Sequence, residues 1–282
     1  MAKQTFSSLQ HLPKVFGITF ALKGDTLSDK RVAAHIAQGN EFAALRVALG
    51  TASKTHRLVA VLLYISKKKL NWVPSLELVL QICWLVGPAR SWFRYLLRSH
   101  KRDTLHAAVQ LIHQQGGLKK RTLDVGCGIG HLPQQFPLNK GHEWICIDKN
   151  FFSLFLAQMY HGRSDITYVC ADIEVERLFT PNEFDTVVCL DCFAWIFQKE
   201  VFMRQMSDSL STSGTFVMVN VHEEQPSTLG WGYGINRESI IHLIKSAGFK
   251  RYTWHQHSTT DQTPVKNHTS LDPSGYSFIA KK

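Results

Sequence analysis

From about residue 118 onward, short continuous apolar runs alternate with longer amphipathic segments. Leu123-Asp124-Val125 opens the series. Glu143-Trp144-Ile145-Cys146-Ile147, Ile166 to Ala171, Phe184 to Leu190 and Gly214 to Val221 follow it. Runs this short and this apolar read as strands buried on both faces. Between them, Phe151 to His161, Phe193 to Leu210 and Asn236 to Ala247 have helical spacing. Lys250 to His257 and Tyr276 to Ala280 read as two last strands. Strand and helix in alternation predict an α/β fold: a parallel sheet covered by helices on both sides.

Residues 1–115 look different. Strand-like alternation is nearly absent, and four helices are predicted: Lys30 to Leu49, His56 to Ser66, Ser75 to Val86 and Ser91 to Gln115. Gly87-Pro88 stops the third of these. The chain therefore divides into a helical N-terminal extension, 1–115, and a sheet domain, 116–282. A helical extension can serve as a lid, a substrate pocket or a dimer interface, or simply cap apolar surface. Within it, Leu70 to Ala89 is strongly apolar, carries Trp72 and Trp84, and follows Lys67-Lys68-Lys69. Asn71, Glu77 and Gln81 interrupt the run, so it is too broken to span a membrane. A buried helix or an apolar pocket is the expectation, with peripheral membrane contact as the alternative.

The first strand runs directly into Gly126-Cys127-Gly128-Ile129-Gly130. Alternate glycines let a backbone turn sharply and approach a ligand, and a helix following the loop would aim its N-terminal amides there. A dinucleotide fingerprint needs a third glycine at 131 or 133, where the chain has His131 and Pro133. The Gly-Lys-Ser/Thr ending of a P-loop is absent too. Pro133 and Pro137 predict that any helix after the loop is short or bent. What remains is an acidic-x-G-x-G-x-G run beginning at Asp124, followed by Asp148, Asp172 and Asp191 at the ends of the next three strands. A single strand-end aspartate is commonly a helix cap, but four at matched positions point to a ligand beyond the carboxyl ends of the strands. Asp185 opens its strand at the opposite edge and is expected to be structural.

This constellation resembles the class I S-adenosylmethionine-dependent methyltransferases, of the small-molecule type, from about residue 118 to 282. The resemblance implies a Rossmann-like, mostly parallel seven-stranded sheet closed by an antiparallel hairpin, with S-adenosyl-L-methionine as cofactor. It implies that Gly126, Cys127, Gly128 and Gly130 form the cofactor loop, with Asp124 toward the methionine end. Asp148 would accept the ribose hydroxyls, which suit a carboxylate's two oxygens, with Lys149 beside it. Asp172 would meet the adenine amino group, Ile173 would pack on the ring, and Asp191 would border the site.

The formal charge of +10 raises nucleic acid as a partner. Basic residues cluster at 67–69, 90–102 and 119–121, yet no RNA-binding module is recognisable. Asp191-Cys192-Phe193-Ala194-Trp195 stands where base-amino methyltransferases carry Asp/Asn-Pro-Pro-Tyr/Phe. A small-molecule methyl acceptor, apolar or aromatic and methylated at oxygen, nitrogen or carbon, is favoured. An RNA methyltransferase or a non-catalytic cofactor-binding scaffold is the alternative. Six cysteines without a secretion signal predict reduced thiols and a cytoplasmic setting. Cys189-x-x-Cys192 lacks the second pair a zinc site would need, so no metal is expected.

Methyl transfer asks for alignment and, for some acceptors, a base. Plant-type phenol O-methyltransferases place a histidine after the fourth strand, where this chain has Ala194. His222 and Glu223, after the fifth strand, are the candidate catalytic residues, with Asp191 and His131 bordering the loop. Gly230-Trp231-Gly232-Tyr233-Gly234 is a candidate lid.

Overall fold

The computed structural model describes residues 12–20, 27–88, 90–97, 99–139, 141–174, 178–221, 235–256 and 276–282. Strands β1 (Lys14–Val15) and β2 (Ile18–Phe20) form a hairpin. Its two-residue turn, Phe16-Gly17, has φ of 53° and 77°, the twist that joins antiparallel strands tightly. Helices α1 (Leu27–Ala37), α2 (Glu41–Ala48), α3 (Lys54–Ile65), α4 (Leu76–Val86), α5 (Arg90–Leu96) and α6 (Ser99–Gln114) follow. The sheet domain contributes β3 (Arg121–Val125), β4 (Glu143–Asp148), α7 (Phe151–His161), β5 (Ile166–Cys170) and β6 (Phe184–Leu190). It ends with α8 (Lys199–Ser209), β7 (Leu210–Val221), α9 (Arg237–Ser246), β8 (Arg251–Gln256) and β9 (Tyr276–Lys281).

All of the strands belong to one sheet of order β1-β2-β5-β4-β3-β6-β7-β9-β8. Strands β2, β5, β4, β3, β6 and β7 run parallel, and β7-β9-β8 closes the far edge antiparallel. The chain leaves β3 toward β4 and β5 on one side and later returns to β6 and β7 on the other. This reversal opens a crevice at the carboxyl end of β3, where ligands of such sheets sit.

Side chains alternate between two cores. Trp144 and Cys146 of β4 face one core with α2, α3, α4, α6 and α7, while Ile145 and Ile147 face the other with α8 and α9. The same division sets Val188 and Leu190 against Val187 and Cys189 in β6. Both faces of each central strand are dry, which is why these segments read as continuous apolar runs rather than alternating ones.

Four expectations need correction. The sheet has nine strands instead of seven, because the N-terminal hairpin adds to the β5 edge; Thr19 pairs with Val169 and Phe20 with Cys170. The N-terminal segment is thus not purely helical, and its two strands were too short for a period-two signal. No α-helix follows the glycine loop: Pro133 and Pro137 leave only a single 3-10 turn, Pro133–Gln135. Three expected long helices are broken. Gly39, at φ 70°, and the Asn40 cap divide α1 from α2; α5 and α6 are separate; and a 3-10 turn, Phe193–Trp195, precedes α8. Finally, one side of the apolar stretch in α4 is exposed rather than buried.

Candidate functional site

The loop after β3 is built from three residues with left-handed backbone: Gly126, Gly128 and Gly130 have φ of 67°, 55° and 71°. They are glycines for different reasons. A Cβ on Gly126 would lie 2.6 Å from the Cβ of Cys192, and one on Gly130 would lie 2.6 Å from the Tyr168 hydroxyl. Around Gly128 the nearest atom would be a ring carbon of Trp92, at 3.8 Å. Gly126 and Gly130 therefore admit close packing from below, while Gly128 keeps the open side of the loop clear.

Hydrogen bonds hold the loop on the end of β4. The amides of Gly126 and Cys127 both donate to the Ile147 carbonyl, at 2.9 and 3.1 Å. The Gly128 amide donates to Asp148 Oδ2 at 2.9 Å, and the Asn150 amide donates to Oδ1 at 2.8 Å. Burial pushes the Asp148 carboxyl above its ordinary range, and these amides oppose that rise. Each oxygen spends one acceptor position inside the protein and retains capacity for another donor. Asn150 also caps α7, its side-chain oxygen accepting from the amides of Phe152 and Ser153. Lys149 is exposed, with its side chain away from the core.

Asp172 lies two residues beyond β5, and its Oδ1 accepts from the Glu174 amide at 3.0 Å. Glu174 in turn accepts from the amides of Phe197 and Gln198, at 2.6 and 2.8 Å, just ahead of α8. These bonds tie the loop holding Asp172 and Ile173 to the entry of α8. Ile173 packs partly buried against the core on that side. Asp124, by contrast, is only 1% exposed and lies beneath the loop.

At the ends of β6 and β7 lies a cluster that the linear pattern did not reveal. The Tyr95 hydroxyl, from α5, donates to Asp191 Oδ2, and the Asn220 amide group donates to Asp191 Oδ1 at 2.7 Å. Asp191 and Asn220 both have left-handed backbone, with φ of 59° and 57°. Asp and Asn are the residues other than glycine that enter this region most readily, and two of the five described non-glycine residues found there meet in this cluster. A register shift between Met218 and Val221 in the β7–β9 pairing accompanies Asn220 and turns its side chain toward Asp191. Burial, reinforced by Asp191, pushes the Tyr95 hydroxyl far above the ordinary tyrosine value, so it stays a donor.

The glycine loop, Asp148, Asp172, Ile173 and Asp191 thus lie at the carboxyl ends of β3 to β6, with Asp124 buried within β3. His131 is turned toward α7, its ring 5.5 Å from that of His161. Asp185 accepts from the Arg121 amide and the Ser211 hydroxyl, the structural part expected of it. His222, Glu223 and the segment 230–234 lie outside the described residues. Tyr95, Trp92 and Asn220 are functional candidates missed in the sequence. Only Asn220 left a trace there, as a polar residue next to last in the apolar run that ends at Val221.

The thiols of Cys189 and Cys192 stand 3.0 Å apart, and Cys192 Sγ donates to the Val125 carbonyl at 3.1 Å. The hydrogen bond from Cys189 and burial push the Cys192 thiol up, which suits packing rather than nucleophilic chemistry. No group of three metal-ligating side chains forms among the described residues. A groove of about 750 Å³ lies between the starts of α8 and α9, lined by Lys199, Glu238 and His242, away from the glycine loop.

Residues 123–218 match the family model of a methyltransferase domain. A curated relative, the malonyl-[acyl-carrier protein] O-methyltransferase of Bacillus cereus, is 24% identical over 197 residues, covering 68% of this chain. The chain spans 62% of that relative's length. A solved structure of phospholethanolamine N-methyltransferase 2 from Haemonchus contortus, bound to phosphomonomethylethanolamine and S-adenosylhomocysteine, superposes with a TM-score of 0.51. It is 15% identical, and the match covers 100% of this chain and 88% of that one. A [4+2]-cyclase superposes with a TM-score of 0.50 at 14% identity, over 63% of this chain and 81% of its own. Fold, loop and sequence match together make the sheet domain similar to methyltransferase domains, and the solved Haemonchus contortus relative carries S-adenosylhomocysteine.

Proposed function

We propose that this chain is an S-adenosylmethionine-dependent methyltransferase acting on a small apolar or aromatic molecule. The observation that carries the reading is the Gly128–Asp148 hydrogen bond, which fixes a carboxylate at the lip of an open glycine loop. The cofactor supplies an electrophilic methyl group on a sulfonium. The protein's task is to hold that group and its acceptor in line and to exclude water.

The residues fit this cofactor. Asp148 has acceptor capacity for the ribose diol, Asp172 presents a carboxylate and Ile173 an apolar surface for the adenine, and Gly128 leaves the loop face clear. Lys149, being exposed, is assigned at most an outer contact with the cofactor. On the acceptor side, α5 brings Trp92 against the loop and Tyr95 onto Asp191. An aromatic wall with one hydrogen-bonded carboxylate suits a largely apolar acceptor carrying a single polar handle. His222 and Glu223, which follow β7 directly after Asn220 and Val221, are the candidates for taking the acceptor's proton.

The N-terminal helices serve as the wall of the acceptor site in this reading, and any membrane contact or self-association of the chain belongs to their outer side. The test is calorimetric titration with S-adenosylhomocysteine, followed by a screen of acceptors that reads S-adenosylhomocysteine release. Binding without turnover on any acceptor class would favour the scaffold; turnover restricted to RNA would overturn the small-molecule reading.

A further inference from the structure

Helices α3 and α4 have two-sided character. In α3, His56, Ala60 and Leu63 face the core, while Leu58, Leu62 and Ile65 face outward. In α4, Leu80 and Cys83 face the same core, while Leu78, Ile82 and Leu85 face outward. Both outward sets follow i, i+4, i+7 spacing, which places each on one stripe of its helix. The segment joining the helices adds Leu70, 70% exposed, and Trp72, 61% exposed. Ten of the fourteen large hydrophobic residues exposed among the described residues fall between Leu58 and Val86. Scattered exposed leucines need no explanation, but outward apolar stripes on two neighbouring helices, with Leu70 and Trp72 between them in the chain, mark a binding surface.

Charge identifies the occupant. Lys67, Lys68 and Lys69 sit on a turn of π-helix that continues α3 directly, all of them exposed. Lys54 and Arg57 lie on the exposed side of α3, and no acidic residue occurs from Phe42 to Leu76. An apolar stripe edged by lysines, with a tryptophan at the junction, is the composition of a helix pair lying in a lipid interface. Apolar side chains enter the acyl boundary, and lysine stems extend so that their ammonium groups reach headgroup phosphates. A second copy of the chain suits the face less well, since a two-fold contact would bring the same basic patch of each copy together.

We propose that the outer face of α3 and α4 docks this protein onto a membrane surface bearing anionic headgroups, lying in the interface without crossing it. No described helix is long and apolar enough to cross. The α4 helix leads through Gly87 and Pro88 into α5, which carries Trp92 and Tyr95, so the docked face is joined by a short connection to the wall of the site. The docking itself does not depend on methyl transfer.

The test is flotation of the full chain with vesicles of phosphatidylcholine alone and with phosphatidylglycerol added. Binding should be at least about tenfold stronger on the anionic vesicles and should weaken with salt. Leu62→Glu with Leu85→Glu should reduce it by about tenfold or more while leaving the melting temperature unchanged, because both side chains are exposed. Lys67→Glu with Lys69→Glu should do the same. Lys68 is left intact in that variant because it pairs with Glu41 at 3.2 Å. Tryptophan emission should shift to the blue on binding, and less so in Trp72→Phe. Equal binding to neutral vesicles, no binding to either, or binding indifferent to the leucine pair would overturn the proposal. So would a lipid-free dimer that the leucine pair dissociates. Vesicle flotation is read without cofactor or acceptor, so its failure and that of the methyltransferase reading are separate results.

Discussion

The amide of Gly128 donates to the carboxylate of Asp148 at 2.9 Å, joining the loop after one strand to the end of the next. Binding and stability should therefore separate at Asp148. Asp148→Asn keeps the shape but removes the charge that burial penalises. Affinity for S-adenosylhomocysteine should fall by about 1.5–3 kcal/mol, the range for hydrogen bonds to a charged group. The melting temperature should change little, because relief of the buried charge is offset by the one backbone amide that loses its acceptor. Titration calorimetry and thermal unfolding of the same preparation check both.

The same carboxylate sets a pH limit. Its folded pKa is raised above the ordinary aspartate value of 3.8, so the folded chain takes up this proton before the unfolded chain does. For this group alone, stability increases as pH falls through the raised value. Cofactor affinity should decrease over the same window, at higher pH than an ordinary aspartate would cause. Affinities measured from neutral pH downward would show the loss, and Asp148→Asn should flatten the profile.

The three glycines of the loop should fail differently. Gly126→Ala and Gly130→Ala place a Cβ 2.6 Å from Cys192 or Tyr168, so both should lose stability by about 1–3 kcal/mol, as overpacking does. Gly128→Ala meets nothing closer than 3.8 Å and carries only the strain of φ 55°, about 1 kcal/mol. Its larger effect should be on cofactor affinity. Tyr168→Phe removes the closest clash at Gly130 and should partly rescue Gly130→Ala. Chemical denaturation of each variant separates the three.

Tyr95, Asp191 and Asn220 behave as one unit. Tyr95→Phe removes the hydroxyl that donates to Asp191 and should cost about 1–3 kcal/mol. Asn220→Asp sets a second carboxylate against the first in a site only 2% exposed and should cost more. A double-mutant cycle on Tyr95→Phe and Asn220→Ala should be non-additive, since both act through Asp191.

Acid should weaken the N-terminal module through His56. Its ring stacks on Phe152 at 4.7 Å and meets Phe93 edge-on at 5.1 Å, and burial lowers its pKa below the ordinary 6.5. The unfolded chain then binds the proton more readily. Stability present above pH 6.5 is lost as pH falls from there toward the lowered folded value. His142, His161 and His255 are displaced in the same direction by burial. His56→Phe keeps an aromatic ring there and should reduce the acid sensitivity in denaturant melts compared at pH values above and below that range.

Part of the site was legible because it is local. Asp124 to Gly130, and the aspartates that end or follow β4, β5 and β6, are set by strand pattern and glycine spacing, and parallel pairing lines their ends up on one edge. The broken helices and the missing helix after the loop turned on single residues such as Gly39 and Pro137, whose effect outweighs an otherwise helical pattern. The hairpin at Lys14 to Phe20 was not legible. A three-residue strand is stabilised by the edge of β5, far away in sequence, and not by its own periodicity.

Taken alone, the sequence determined which segments alternate as strands and helices, where the chain turns sharply and which carboxylates end up at one edge. Those are consequences of side-chain volume, backbone freedom and charge within a few residues. The tertiary structure decided the rest. It separated two packing glycines from one that keeps the loop open, brought Tyr95 to Asp191 across 96 positions, and turned Leu62 and Leu85 outward while His56 and Cys83 faced the core. Contacts between distant segments depend on which surfaces exclude water together, and an apolar helix has the same sequence whether its far side meets a core or a membrane.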